Sequence, residues 1–182
     1  PRMAWRSIME ALPKDAITSS DIGNNCAIGN AYPTFESGRK YLAPGLFGPC
    51  GYGFPSIIGA KIGNPETPVV GFAGDGAFGI SMNEMTAIGR SDWPGITMII
   101  FRNYQWGAEK RNSTLWYDDN FVGTELDLQV SYADIAKDTG NPKTNLFSKK
   151  FGEQFGKSHL VLRHMVLNFF EKVLKSSRNY TN

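Results

Sequence analysis

Asp75 lies within Gly74-Asp75-Gly76-Ala77-Phe78-Gly79, directly after the apolar run Pro68-Val-Val-Gly-Phe-Ala73. By glycine spacing alone this is the G-x-G-x-x-G turn that brings a backbone close to a dinucleotide pyrophosphate between a strand and a helix. The carboxylate argues against that use, because it repels a phosphate at contact distance unless a cation lies between them. The acidic residue that such a fingerprint needs after the following strand is also absent. The run Ile96-Thr-Met-Ile-Ile-Phe101 is followed by Arg102 and Asn103. An NADP-binding reading can use Arg102 but leaves Asp75 without a purpose. A divalent cation resolves the conflict. Magnesium takes oxygen ligands and commonly joins one or two protein oxygens to phosphate groups. Asp75 supplies the charge, and the amide oxygen of Asn103 supplies a neutral ligand from a neighbouring strand end.

For those two residues to meet, the strands carrying them must be parallel and adjacent. Residues 68–73 and 96–101 are uninterrupted apolar runs, the pattern of strands covered on both faces. Met3 to Leu12 predicts an amphipathic helix ended by Pro13, and Ala16 to Ser20 a strand. Asp21 to Gly53 reads largely as loop, dense in Gly, Asn and Pro. Pro55 to Ile62 predicts a helix opened by proline. Ser81 to Gly89 predicts another, with Met82, Met85 and Ile88 on its core side. Trp93-Pro94-Gly95 reads as a turn, and Gly107 to Asn112 and Tyr132 to Lys137 as helical. Alternating strands and helices predict an α/β domain, a parallel sheet with helices on both faces. Its glycine-rich turns fall at strand ends, where such sheets bind ligands.

The 182 residues suit one domain with a sizeable apolar core. No apolar stretch is long enough to span a bilayer, and no signal segment opens the chain, so neither membrane association nor secretion is expected. Two cysteines, Cys26 and Cys50, are too few for a disulfide framework and suit a cytoplasmic setting. The chain opens on Pro1 with residues that already read as helix, which suggests a piece of something longer. Residues 141–182 carry eight Lys/Arg against two Asp/Glu, whereas residues 1–140 carry eleven against fifteen. The basic tail reads as a solvated helix face, with His159 to Ser176 as its core pattern, rather than as a nucleic-acid site. Both histidines, His159 and His164, lie there, so residues 1–140 hold no histidine base.

Gly74-Asp75-Gly76, a helix, an apolar strand and Arg102-Asn103 together resemble the GDG…NN signature of thiamine-diphosphate-dependent enzymes. The segment Phe47-Gly-Pro-Cys-Gly-Tyr-Gly-Phe-Pro-Ser-Ile-Ile-Gly-Ala60 resembles the family's glycine-rich stretch before the cofactor helix. The resemblance runs from about residue 5 to about residue 140. It implies a thiamine diphosphate- and metal-binding unit over 1–140, a single domain of a larger multidomain enzyme. The basic helical tail over 141–182 departs from the buried strand and acidic helix with which the family continues. Carried over by position, it implies that Asp75, Asn103 and the carbonyl of Gln105 hold Mg2+. It also implies that Cys50, Gly51, Gly74, Gly76, Ala77, Trp106 and Gly107 border the cofactor. Three departures stand out. Arg102 replaces the first Asn of the pair. The interval from Asp75 to Asn103 is one residue longer than usual, with Gly95 as the insertion. Cys50 stands where the family has a bulkier apolar residue that wedges the cofactor into its bent shape.

Within the family, Gly79-Ile-Ser-Met-Asn-Glu84, Asn103 to Asn112 and Tyr117 to Thr124 are most similar to the branch that cleaves sulfoacetaldehyde with phosphate, giving acetyl phosphate and sulfite. Acetolactate-synthase-like or decarboxylase-like chemistry is the alternative, and a non-catalytic nucleotide-binding module a further one. The decarboxylase branch implies Glu109 as an acid/base; a helix carboxylate paired with a nearby cation is the other reading. Lys110 and Arg111 can attract small anionic substrates or serve in surface pairs. Trp106, Trp116 and Tyr117 can line the site or pack in the core. The family places the glutamate that activates the cofactor's pyrimidine ring in a separate domain, usually of the partner subunit. A homodimer or homotetramer follows, and this chain alone is expected to be inactive.

Overall fold

The computed structural model describes residues 2–35, 38, 40–88, 95–126, 131–132, 135–136 and 160–163. The chain runs α1 (Arg2–Ala11), β1 (Ile17–Ser20), α2 (Asn24–Ala31), β2 (Tyr41–Leu42), α3 (Gly53–Gly63) and β3 (Val69–Gly74). It continues as α4 (Asp75–Ser81), a 3₁₀ turn (Met82–Glu84), α5 (Met85–Ile88), β4 (Thr97–Phe101), α6 (Gly107–Trp116) and β5 (Leu160–Arg163). The strands form one sheet in the order β2-β1-β3-β4-β5. β1 to β4 are parallel, and β5 pairs antiparallel with β4.

Side chains alternate across the two central strands, as the pleat requires. Val70, Phe72, Ile99 and Phe101 meet Trp5, Ile8 and Ala11 of α1 and Ile28 of α2. Val69, Ala73, Met98 and Ile100 meet Ile57 of α3, Phe78 of α4 and Met85 of α5. Helices therefore cover both faces, which is why these strands are apolar throughout. Trp5 is 1% exposed and lies with its ring centroid 4.4 Å from that of Phe72. Met85 is buried, and Met82 and Ile88 pack against the same cluster.

Three expectations are refined or corrected. Asp21 to Gly53 is largely loop, as expected, but it also holds α2 and β2. Gly and Asn are weak helix formers, and α2 forms because Cys26, Gly29 and Ile28 dock on the sheet and its flank. The helix expected from Ser81 starts six residues earlier, at Asp75. Gly76 and Gly79 obscured it, whereas burial of Ala77 and Phe78 and an acidic residue in the first turn favour it. Finally, the sheet has one antiparallel strand, and the helix expected over His159 to Ser176 is strand at Leu160–Arg163. A short apolar run fits either element, and the outer edge of β4 offers unpaired backbone groups that a strand satisfies. The remainder of that tail lies outside the described residues, as do Trp93 and Pro94 of the expected turn, Gly89 and Lys137.

The connections fix where a ligand can enter. From β1 the chain moves outward to β2, while from β3 it moves the other way to β4. The crevice between the carboxyl ends of β1 and β3 is the switch point where open α/β sheets bind ligands.

Candidate functional site

A cavity of about 540 Å³ opens there, walled by the start of α2, the β3–α4 junction, Asn103 and residues 105–109. Register explains the meeting of Asp75 and Asn103. Gly74 pairs with Phe101, so both residues leave the sheet one or two positions later at the same end. Asp75 is 1% exposed. Its Oδ2 accepts the Tyr104 backbone N–H at 2.7 Å, and its Oδ1 accepts that of Gly76 at 3.2 Å. Burial raises its carboxyl pKa above the ordinary value, an effect these backbone donors and the Arg102 guanidinium oppose. Asn103 is exposed to the cavity, and its Oδ1 accepts the Gln105 N–H at 3.3 Å.

The loop after Asn103 is held from outside. Trp106 N–H donates to the Thr124 carbonyl and Leu126 N–H to the Tyr104 carbonyl, each at 2.8 Å, around a bridge between Gln105 and Glu125. Two glycines are there for close approach. A Cβ on Gly76 would lie 2.8 Å from the Trp106 ring, and one on Gly107 would lie 2.7 Å from the Asn103 amide nitrogen.

Of the expected residues, Cys50, Gly74, Gly76, Ala77, Gln105, Trp106, Gly107 and Glu109 all border this cavity with Asp75 and Asn103. Gly51 does not; it packs against Ile80 with φ +85°. Lys110 forms an ion pair with Glu125 and lies 5.1 Å over the Phe121 ring, the surface-pair reading. Trp116 and Tyr117 are 75% and 67% exposed and neither line the cavity nor pack in the core. They sit at the far end of α6, beyond the first turn that the cavity uses.

A magnesium–diphosphate group fits these donors. Asp75 is a buried carboxylate that gains from a nearby cation, and the other donors here are amide and carbonyl oxygens, the hard ligands Mg2+ prefers. Among the described residues no three His, Cys, Asp or Glu side chains gather as a metal cluster. A cation here therefore depends on ligand oxygens such as phosphate to complete its shell.

Two contributions escaped sequence reasoning. Gly23, Asn24 and Asn25 enter the cavity wall at the start of α2; a Gly-Asn-Asn run just after a strand was the available signal. Asp21 is fully buried and organises the Cys50 loop. Its Oδ1 accepts the Ile22 and Gly51 N–H groups at 2.9 and 3.0 Å, and its Oδ2 accepts that of Gly53 at 2.7 Å. Asp21→Asn leaves the amide nitrogen facing one of these donors. It is expected to cost about 2 kcal/mol and to speed amide hydrogen exchange at Gly51 and Gly53. Unchanged exchange would show that the loop holds itself.

The chain matches the family described as "Thiamine pyrophosphate enzyme, C-terminal TPP binding domain" over residues 21–158. It is 83% identical over 140 residues to a sulfoacetaldehyde acetyltransferase of Rhodobacter capsulatus, covering 77% of this chain and 24% of that protein. A protein of the same name from Roseovarius nubinhibens is 79% identical over 140 residues, with 77% and 23% covered. An acetolactate synthase large subunit of Corynebacterium glutamicum is 28% identical over 132 residues, with 72% and 21% covered. The chain thus spans about a quarter of the length of the curated relatives it matches.

Proposed function

Because this chain belongs to the thiamine pyrophosphate enzymes, through their C-terminal TPP binding domain, we propose that it is the diphosphate-holding part of a sulfoacetaldehyde acetyltransferase. The reaction converts sulfoacetaldehyde and phosphate to acetyl phosphate and sulfite. The observation that carries this reading is the buried carboxylate of Asp75 beside Asn103 at the switch point of a chain 83% identical to a protein of that name. When bound, the cofactor supplies an electron sink for cleavage next to a carbonyl. This chain's residues do the rest: Asp75, Asn103 and the Gln105 carbonyl hold Mg2+, and Trp106 and Gly107 shape the wall. Glu109, in the first turn of α6, faces the cavity as the acid/base.

Residues 1–140 form the cofactor unit in this reading, and the active enzyme is a homodimer or homotetramer with its sites between subunits. Among the described residues, no helix is long and apolar enough to cross a membrane. Cys26 and Cys50 are both free thiols, in keeping with a cytoplasmic enzyme.

The test is acetyl phosphate formation by the full-length protein from sulfoacetaldehyde and phosphate, with thiamine diphosphate and Mg2+. Acetolactate from pyruvate, with no acetyl phosphate, would move the protein to the acetolactate synthase branch. The 182-residue chain alone is expected to give no turnover, since the pyrimidine-activating glutamate belongs to a different domain. It is also expected to self-associate in sedimentation, because Leu46, Phe47, Trp116 and Val122 are largely exposed. Robust turnover by the isolated chain would overturn that division of labour.

A further inference from the structure

Tyr132 is fully buried, edge-on to Phe78 with ring centroids 5.1 Å apart. A phenol at such depth needs a partner for its hydroxyl. It donates to the main-chain carbonyl of Asp75 at 2.9 Å, across 57 residues of sequence. The same Asp75 accepts the Tyr104 N–H at its carboxylate. Tyr104 has φ 59°, in the left-handed region that a non-glycine residue adopts only when its surroundings hold it there. Arg102 closes the circuit: its guanidinium carbon lies 4.4 Å from the Tyr104 ring centroid and 5.3 Å from that of Tyr132.

Asp75, Tyr104, Arg102 and Tyr132 thus form a closed ring of contacts. It joins the end of β3, the end of β4 and a third segment about fifty residues beyond α4. We propose that Tyr132, coupled through Arg102 to Tyr104, is a positioning residue that sets Asp75 and the Tyr104–Gln105 turn for a divalent cation. Two geometric demands meet here. The carbonyl of Asp75 is tied from the core side, so the first peptide of α4 cannot rotate. The Tyr104 N–H is tied to the carboxylate, so the loop bearing Asn103 and Gln105 follows the same anchor. The two rings flanking Arg102 keep a cation near Asp75 in a place where it also braces that loop. The inference rests on reading Asp75 as a metal ligand.

The test is Mn2+ binding to the full-length protein with thiamine diphosphate, followed by electron paramagnetic resonance. Tyr132→Phe keeps the ring and its packing and loses only the donor. It is expected to raise the Mn2+ Kd about tenfold, the scale seen when groups behind metal ligands are removed. Arg102→Met is expected to weaken binding as well, and Arg102→Lys to recover part of the loss. Met85→Ala loosens the same apolar cluster; it should lower the thermal midpoint and leave the Mn2+ Kd at the parental value. Parental Mn2+ affinity in Tyr132→Phe, or an equal loss in Met85→Ala, overturns the positioning role. The Asp75→Ala control separates the two readings. If it loses Mn2+ binding while Tyr132→Phe keeps it, only the positioning role fails. If it still binds Mn2+, the metal assignment itself is overturned, and this inference with it.

Discussion

Asp75→Ala, made in the full-length protein, is expected to abolish metal-dependent binding of thiamine diphosphate while leaving the fold intact. Removing a group behind a metal ligand costs about 10- to 100-fold in affinity, so losing the charged ligand itself is expected to exceed that range. The same change removes the acceptor for the Tyr104 N–H, which frees the loop that carries Asn103 and Gln105. Asp75→Asn keeps one oxygen, which can serve either Tyr104 or the cation. It should therefore bind cofactor only at high magnesium. Calorimetry of the parent and both variants, with and without Mg2+, reads the difference directly. Parental binding in both variants would remove Asp75 from the metal site.

Stability should change in the opposite direction. Burial holds the Asp75 pKa above its ordinary value of 3.8. Its titration thus favours the folded state below that value, and the benefit is lost as pH rises through the raised folded value. Without a divalent cation, the parent should lose more stability than Asp75→Ala as pH rises above about 4. Comparing the two separates Asp75 from Asp21, whose buried carboxyl is raised in the same direction.

Glu109→Gln should act on turnover rather than on binding. Positioned proton transfer contributes about a hundred- to ten-thousandfold, so kcat is expected to fall on that scale with cofactor affinity little changed. The geometry allows the role. Glu109 borders the cavity and is exposed, while the adjacent Lys110 is engaged by Glu125 and leaves Glu109 without that neighbour as a counter-charge. Its carboxylate accepts the Asn112 amide N–H at 3.5 Å, a weak restraint. An unchanged turnover number would return Glu109 to the class of solvated helix carboxylates.

What was legible in the sequence was whatever depends on neighbours along the chain. The uninterrupted apolar runs at 68–73 and 96–101 required strands covered on both faces, because only such strands need no polar alternation. A carboxylate inside a glycine turn pointed to a cation beside any bound phosphate, because charge repulsion acts whatever the fold. Those two facts sufficed to pair Asp75 with Asn103, and the Gly74–Phe101 register places them at the same sheet end.

What only the tertiary structure decided depends on residues brought together from far apart. Asp21 reads as an ordinary polar residue until the backbone N–H groups of Gly51 and Gly53, about thirty residues on, turn toward its carboxylate. Tyr132 reads as core until its hydroxyl is seen at the Asp75 carbonyl. The start of α4 and the existence of α2 were hidden for a related reason. Glycine and asparagine disfavour helix locally, and burial against the sheet overrides that preference by more than any single residue's propensity. The antiparallel β5 was likewise undecidable, since a short segment with three apolar residues takes the conformation its neighbour's free edge demands. Local chemistry thus singled out Asp75 and Asn103 as candidate ligands. The hydrogen bonds that hold them still come from partners that no local pattern identifies.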